Sequence, residues 1–222
     1  MSSARDNILN RLRSAGSHPS PEVASNWQPP LYSQQERLAR FKDSLAMSHA
    51  EIIETTDEDW TTELLNIAVS RKLKTWLYSP ETISGSTLAK RAATESEMTL
   101  IPYDKPVESF KDQLFHNIEA SFTDVQAGIA ETGTLVVLPS KAEPRLMSLV
   151  PPVHVALFRE STLLNSFSEL IERQKWSTKG LPTNALLISG PSKTADIQQT
   201  LAYGAHGPKE LVILIVKDLT AS

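Results

Sequence analysis

No cysteine occurs in this chain of 222 residues. That absence excludes disulfides, thiol nucleophiles, zinc ribbons and cysteine-ligated iron–sulfur clusters held by the chain itself. No apolar run approaches the roughly 20 residues needed to span a bilayer. Residues 1–16 intersperse Arg5, Asp6, Arg11 and Arg13 among few apolar side chains, so they lack the core of an export signal. The expectation is a soluble, cytoplasmic protein. No lysine- or arginine-rich run is present and the formal net charge is −4, which argues against a nucleic-acid partner. His18, His49, His116, His154 and His206 show no ligand spacing, so no metal site is expected. A G-x-G-x-x-G following a strand is also missing, and with it the nicotinamide-binding fingerprint. There is no internal repeat and no low-complexity tract.

What is present is ordinary for a globular protein: 40% hydrophobic and 22% charged residues. The length suits one α/β domain with a sizeable core and a small appendage. Ile8 and Leu12, four apart, suggest a short amphipathic helix over residues 2–15, with Ser2 or Ser3 as its cap. Pro19, Pro21, Pro29 and Pro30 mark a linker, and Leu38, Phe41 and Leu45 a second helix over 33–47. Residues 1–47 therefore read as a helical arm with its linker, and 48–222 as the α/β domain.

From Glu51 onward strands and helices alternate. Ile52-Ile53, Leu73–Tyr78, Met98–Ile101, Ala120–Thr123, Val153–Phe158, Ala185–Ile188 and Leu211–Val216 read as strands. Helices are predicted behind a Thr55/Glu58 capping box, at about 84–94, from Pro106, from Ser161 to Gln174, and at about 193–203. Val125–Ala130 and Thr134–Leu138, joined through Glu131-Thr132-Gly133, suggest a hairpin that makes the sheet mixed. Near-continuous apolar strands between amphipathic helices point to a mixed, mostly parallel open sheet flanked by helices.

Chemistry has three candidate locations. Ala185–Ile188 runs into Ser189-Gly190-Pro191-Ser192-Lys193-Thr194-Ala195-Asp196, a strand, small-residue loop and predicted helix start suited to an anion. Lys193 would supply charge, and Ser189, Ser192 and Thr194 hydroxyls. A Walker A P-loop is excluded, because its glycines would fall where Leu187 and Ser192 stand. The alternative is that Ser189 or Ser192 simply caps the helix and Gly190 eases the turn. Tyr203-Gly204-Ala205-His206-Gly207-Pro208 closes the same segment, with His206 either an acid–base group or a structural helix end. Glu131-Thr132-Gly133-Thr134 could place a carboxylate at a cleft or form a solvated hairpin tip. Asp124, just ahead of it, is equally ambiguous, and Arg145 and His154 flank the Pro151-Pro152 break.

Three segments taken together carry a resemblance: Gly128–Leu135, Leu149–His154 and Ser189–Pro208. In this order and spacing they resemble the lactate-utilization protein C family, whose members contain a LUD domain; the likeness covers about residues 45–218. It implies a fold akin to the sugar-phosphate isomerase and CoA-transferase class, and a role in oxidising L-lactate to pyruvate beside iron–sulfur partner proteins. Those partners would hold the clusters, with no cofactor in this chain. The matched segments single out Glu131 and His206 as catalytic candidates. Thr132, Gly133, Ser189, Gly190, Ser192, Lys193, Thr194, Asp196 and Gly207 are the ligand-binding candidates. The competing readings are a stand-alone enzyme or a regulatory module binding a small phosphorylated or carboxylated ligand at 189–196. Homo-oligomerisation stays open.

Overall fold

The computed structural model describes residues 4–14, 30–95, 97–195, 201–204 and 206–217. Two strands form its centre: β7 (Val153–Arg159) and β12 (Glu210–Val216) pair in parallel from Val153–Glu210 to Arg159–Val216. Their unbroken apolar runs are buried on both faces, as a central parallel strand requires. Around them lie β1 (Glu51–Thr55), β2 (Thr75–Tyr78), β3 (Thr99–Pro102) and β4 (Ala120–Asp124). The order is β1-β12-β7-β4-β2-β3, and every neighbouring pair is parallel.

Alternating side chains give the sheet two distinct faces. On one, α3 (Trp60–Ser70) and α4 (Ile83–Glu95) set Trp60, Leu64, Ile67 and Leu88 against Trp76, Phe122, Val155 and Leu214. Trp60 stacks on Phe122 with ring centroids 5.3 Å apart. On the other, α2 (Gln34–Met47) buries Phe41 and Leu45 against Phe158, Leu211, Ile213 and Ile215. Ser33 and Glu36 close a capping box at the start of α2. The helix α1 (Ala4–Ser14) buries no residue and leaves Ile8 and Leu12 exposed. Further along, α5 (Lys111–His116) and α6 (Leu146–Leu149) cover Leu77 with Leu114 and Met147.

The 125–138 hairpin forms as expected, but outside the main sheet. Its arms, β5 (Ala127–Ile129) and β6 (Thr134–Val137), join β8 (Leu163–Leu164) and β9 (Leu186–Ile188) in a second sheet ordered β8-β5-β6-β9. Ala130, Leu135 and Val137 face the first sheet, while Ala127, Ile129 and Val136 face α7 (Phe167–Arg173) and α8 (Trp176–Lys179). Buried on both sides, the hairpin is a layer of its own.

Three local expectations change. Thr55 ends β1 opposite Val216 and is buried, so it cannot cap α3; Thr56 accepts from the Asp59 N–H and donates to its carboxylate instead. The helix expected from Ser161 starts at Phe167, capped by Ser166, because Leu163 and Leu164 pair with β5. The described residues of the helix expected at 193–203 are not helical. In its place β10 (Lys193–Ala195) and β11 (Leu201–Tyr203) form an antiparallel pair, Lys193 opposite Tyr203. Ser192 donates its N–H to the Pro208 carbonyl at 2.8 Å and accepts from the Gly204 N–H at 3.1 Å. These long-range bonds commit Ser192 to a ladder, and tertiary pairing overrides the local helical spacing.

Candidate functional site

The matched segments meet at the amino edge of the main sheet. Pairing of Leu135 with Ile188 brings Thr134 beside Ser189. A chain of hydroxyls results: Thr132 Oγ1 lies 2.7 Å from Thr134 Oγ1, which lies 2.8 Å from Ser189 Oγ. Behind it stands the last turn of α2. Gly133 has φ 59° and a Cβ there would collide with Ser44; a Cβ on Gly190 would lie 2.8 Å from that of Ser48. Both turns need glycine because they press on one helix end.

Ser192 ties in the third segment. Its Oγ accepts from the His206 N–H at 3.2 Å, and a Cβ on Gly207 would lie 3.3 Å from its own Cβ. Lys209 and Glu210 donate to the Pro152 carbonyl just ahead of β7, which locates this surface at the amino ends of the strands. Thr132, Gly133, Ser189, Gly190, Ser192, His206 and Gly207 thus share one face. Glu131 sits at the same turn, its N–H bonded to the Asn165 carbonyl. Lys193 is exposed at the start of β10, and Thr194 pairs with Ala202. Asp196 lies outside the described residues.

This arrangement corrects the anion argument. Lys193–Ala195 form a strand, so among the described residues no helix N-terminus turns free N–H groups towards the loop. What the described residues offer there is hydroxyls, with Lys193 and Lys209 exposed nearby.

The carboxyl edge holds a different group. Chain order reverses between β2, which leads outward to β3, and β4, which leads inward to β7 and β12. Such switch points are where open α/β sheets receive ligands. At this one, the Asp124 carboxylate accepts from Ser84 Oγ at 2.8 Å, and the Asp124 N–H donates to Glu143 Oε1 at 3.1 Å. Burial raises the Asp124 carboxyl above its ordinary range, opposed by the Ser84 bond and the Arg159 charge. Burial also pushes Glu143 up to about 7; the Asp124 N–H opposes this and the Asp124 charge adds to it. Glu143 can therefore hold or release a proton near neutral pH beside Asp124. Sequence reading left Asp124 ambiguous and missed Glu143, because Lys141-Ala142-Glu143-Pro144 reads as a solvated loop.

His154 does not join either group. It is fully buried on β7, its Nε2 2.8 Å from Thr123 Oγ1 and its Nδ1 unmet, and burial lowers its pKa to about 4. Arg145 is exposed at the start of α6. Among the described residues, no three His, Asp or Glu side chains cluster as metal ligands, and no helix is long and apolar enough to cross a membrane.

Comparison with known proteins matches residues 38–216 to the LUD domain family. An uncharacterized protein of Neisseria meningitidis serogroup B is 41% identical across 96% of this chain and 94% of its own length. Lactate utilization protein C 1 of Bacillus mycoides is 26% identical across 84% of this chain and 81% of that protein. Lactate utilization protein C of Macrococcus caseolyticus is 33% identical over 105 residues, 45% of its length. The crystal structure of a DUF162 family protein from Deinococcus radiodurans has the same fold: TM-score 0.59 at 19% identity, covering 84% of this chain and 99% of that one.

Proposed function

The chain belongs to the LUD domain family, and from that membership we propose that it serves L-lactate utilization, as a subunit acting with iron–sulfur proteins that oxidise L-lactate to pyruvate. The observation that carries this reading is the extent of the likeness. Lactate utilization protein C 1 of Bacillus mycoides aligns with 84% of this chain, a span long enough to include most of both sheets. The cysteine-free sequence supports the division of labour, since it offers no thiolate for a cluster and leaves electron transfer to partners.

In this proposal the working face is the amino-edge surface where the three matched segments meet. Glu131 and His206 are its proton-handling groups. Thr132, Gly133, Ser189, Gly190, Ser192, Lys193, Thr194 and Gly207 are its candidate ligand contacts; Asp196, assigned with them from the sequence, lies outside the described residues. Deleting the gene should abolish growth on L-lactate as sole carbon source, with recovery from a plasmid copy. A Glu131→Gln, Lys193→Ala copy should recover growth poorly while the protein accumulates normally. Undiminished growth of the deletion strain, in a host without another lactate oxidase, overturns the role. Full recovery by the double variant overturns the assignment of the face.

A further inference from the structure

Parallel pairing between β2 and β4 ends at Leu77–Ser121, short of Asp124. Val125 donates its N–H to Leu157 on the β7 side, so Asp124, one residue earlier, turns its N–H the other way, to where β2 no longer runs. Among the described residues no strand meets it there. The Glu143 carboxylate does, accepting the Asp124 N–H at 3.1 Å. Glu143 belongs to a turn that closes on itself: Ser140 donates its N–H to the Glu143 carbonyl at 3.0 Å, and Ser140 Oγ accepts the Glu143 N–H at 3.0 Å. Ser140 and Lys141 are exposed. On either side the chain is anchored by apolar packing, through Leu138 before the turn and Leu146 and Met147 after it. Residues 139–145 thus form a strap beside the crevice between β2 and β4, with the Glu143 carboxylate as its fastener to the sheet.

The fastener is sensitive to charge. Asp124 carries a carboxylate of its own, held by Ser84 Oγ at 2.8 Å. The elements packed around it bring little to neutralise a second one. Helix α6 carries no charged residue, and α4 offers the Ser84 hydroxyl. Arg159, at the end of β7, acts on Asp124 and is paired with Asp57 at 2.6 Å. Lys141 and Arg145, within the strap, are exposed. Ionised Glu143 therefore puts two carboxylates into one poorly hydrated place.

We propose that residues 139–145 are a pH-sensitive strap: with Glu143 protonated it stays fastened on Asp124, and ionisation of Glu143 lifts it from the switch point. Open α/β sheets receive ligands at such points, so the strap governs access to this one. Fastened, Glu143 has its carboxyl pushed up to about 7, chiefly by burial; lifted into water it returns to the ordinary 4.5. The fastened form is favoured most below pH 4.5 and loses that advantage as pH rises through 7.

The test is amide hydrogen exchange of the full-length protein at pH 6 and pH 8, resolved by NMR, in wild type and Glu143→Gln. Glutamine keeps the acceptor for the Asp124 N–H and cannot ionise. The wild-type rate at Asp124, divided by the variant's, should rise about five- to ten-fold between the two pH values. Lifting a strap exposes little surface, so exchange at Asp124 should be insensitive to low urea, while Val155 and Leu214 in the central strands should exchange faster as urea is added. Glu143→Ala, with no fastener, should leave the Asp124 N–H poorly protected at both pH values. A ratio that does not change with pH overturns the proposal, as does full protection of Asp124 in Glu143→Ala. Exchange at Asp124 that climbs with urea in step with Val155 and Leu214 also overturns it, and leaves Glu143 acting on global stability alone. The urea comparison needs no variant, so it decides even where a substitution prevents folding.

Discussion

Replacing Glu143 by glutamine should stabilise the protein at alkaline pH and leave it nearly unchanged in acid. The side chain stands in the 138–145 loop, accepts the Asp124 N–H, and faces the Asp124 carboxylate in a poorly hydrated site. Folding therefore favours its protonated form, with a pKa of about 7 against an ordinary 4.5. Because the native state binds the extra proton, the stabilisation is complete below pH 4.5 and is lost as pH rises through 7. A displacement of this size corresponds to about 3 kcal/mol. Residual contact with water brings the expectation nearer to about 2 kcal/mol, or roughly 4–8 °C in Tm for a chain of this size. Glutamine keeps the shape and the carbonyl acceptor for Asp124 but carries no charge at any pH. The assay is urea unfolding of both proteins at pH 5 and pH 8, read as the difference between them. That difference matters because other groups titrate in the same window. The variant should gain about 2 kcal/mol on the wild type between the two pH values. A constant difference across that range would refute the buried-carboxyl reasoning.

His154 should act in the opposite sense. Its folded pKa of about 4 lies below the ordinary 6.5, so stability falls as pH drops from 6.5 towards 4. His154→Leu should flatten that acid limb by about 3 kcal/mol, seen in unfolding curves at pH 4.5 and 7. Gly133→Ala forces a side chain into a left-handed backbone and onto Ser44, and should cost about 2 kcal/mol or more in denaturant unfolding. Ser192→Ala removes the acceptor of the His206 N–H; amide exchange at His206 should quicken while global stability falls by only about 1 kcal/mol.

The central strands were legible because β7 and β12 are apolar on both faces, a pattern that only a covered parallel sheet accommodates. Helix α2 was legible from the apolar spacing of Leu38, Phe41 and Leu45, while its Ser33 cap emerged only with the structure. The 193–203 segment was not. Its spacing suits a helix, and what pairs its described ends as strands is the ladder continued by Ser192, which bonds Gly204 and Pro208 through the backbone. The convergence of Thr132, Thr134 and Ser189 was equally hidden, since 55 residues separate the last two and only the β6–β9 pairing joins them.

The order of residues alone determined the fold class, the lack of thiolate chemistry and the segments that mark the family, because each depends on composition, local spacing or short motifs. Tertiary structure decided which polar groups share a place. It set the hydroxyl face at the amino edge, Asp124 and Glu143 at the carboxyl edge, and Arg37 behind Leu163 with one donor unmet. The physical reason is that burial and long-range pairing belong to no residue alone. A glutamate in a Lys-Ala-Glu-Pro loop carries no local sign that folding will take it out of water.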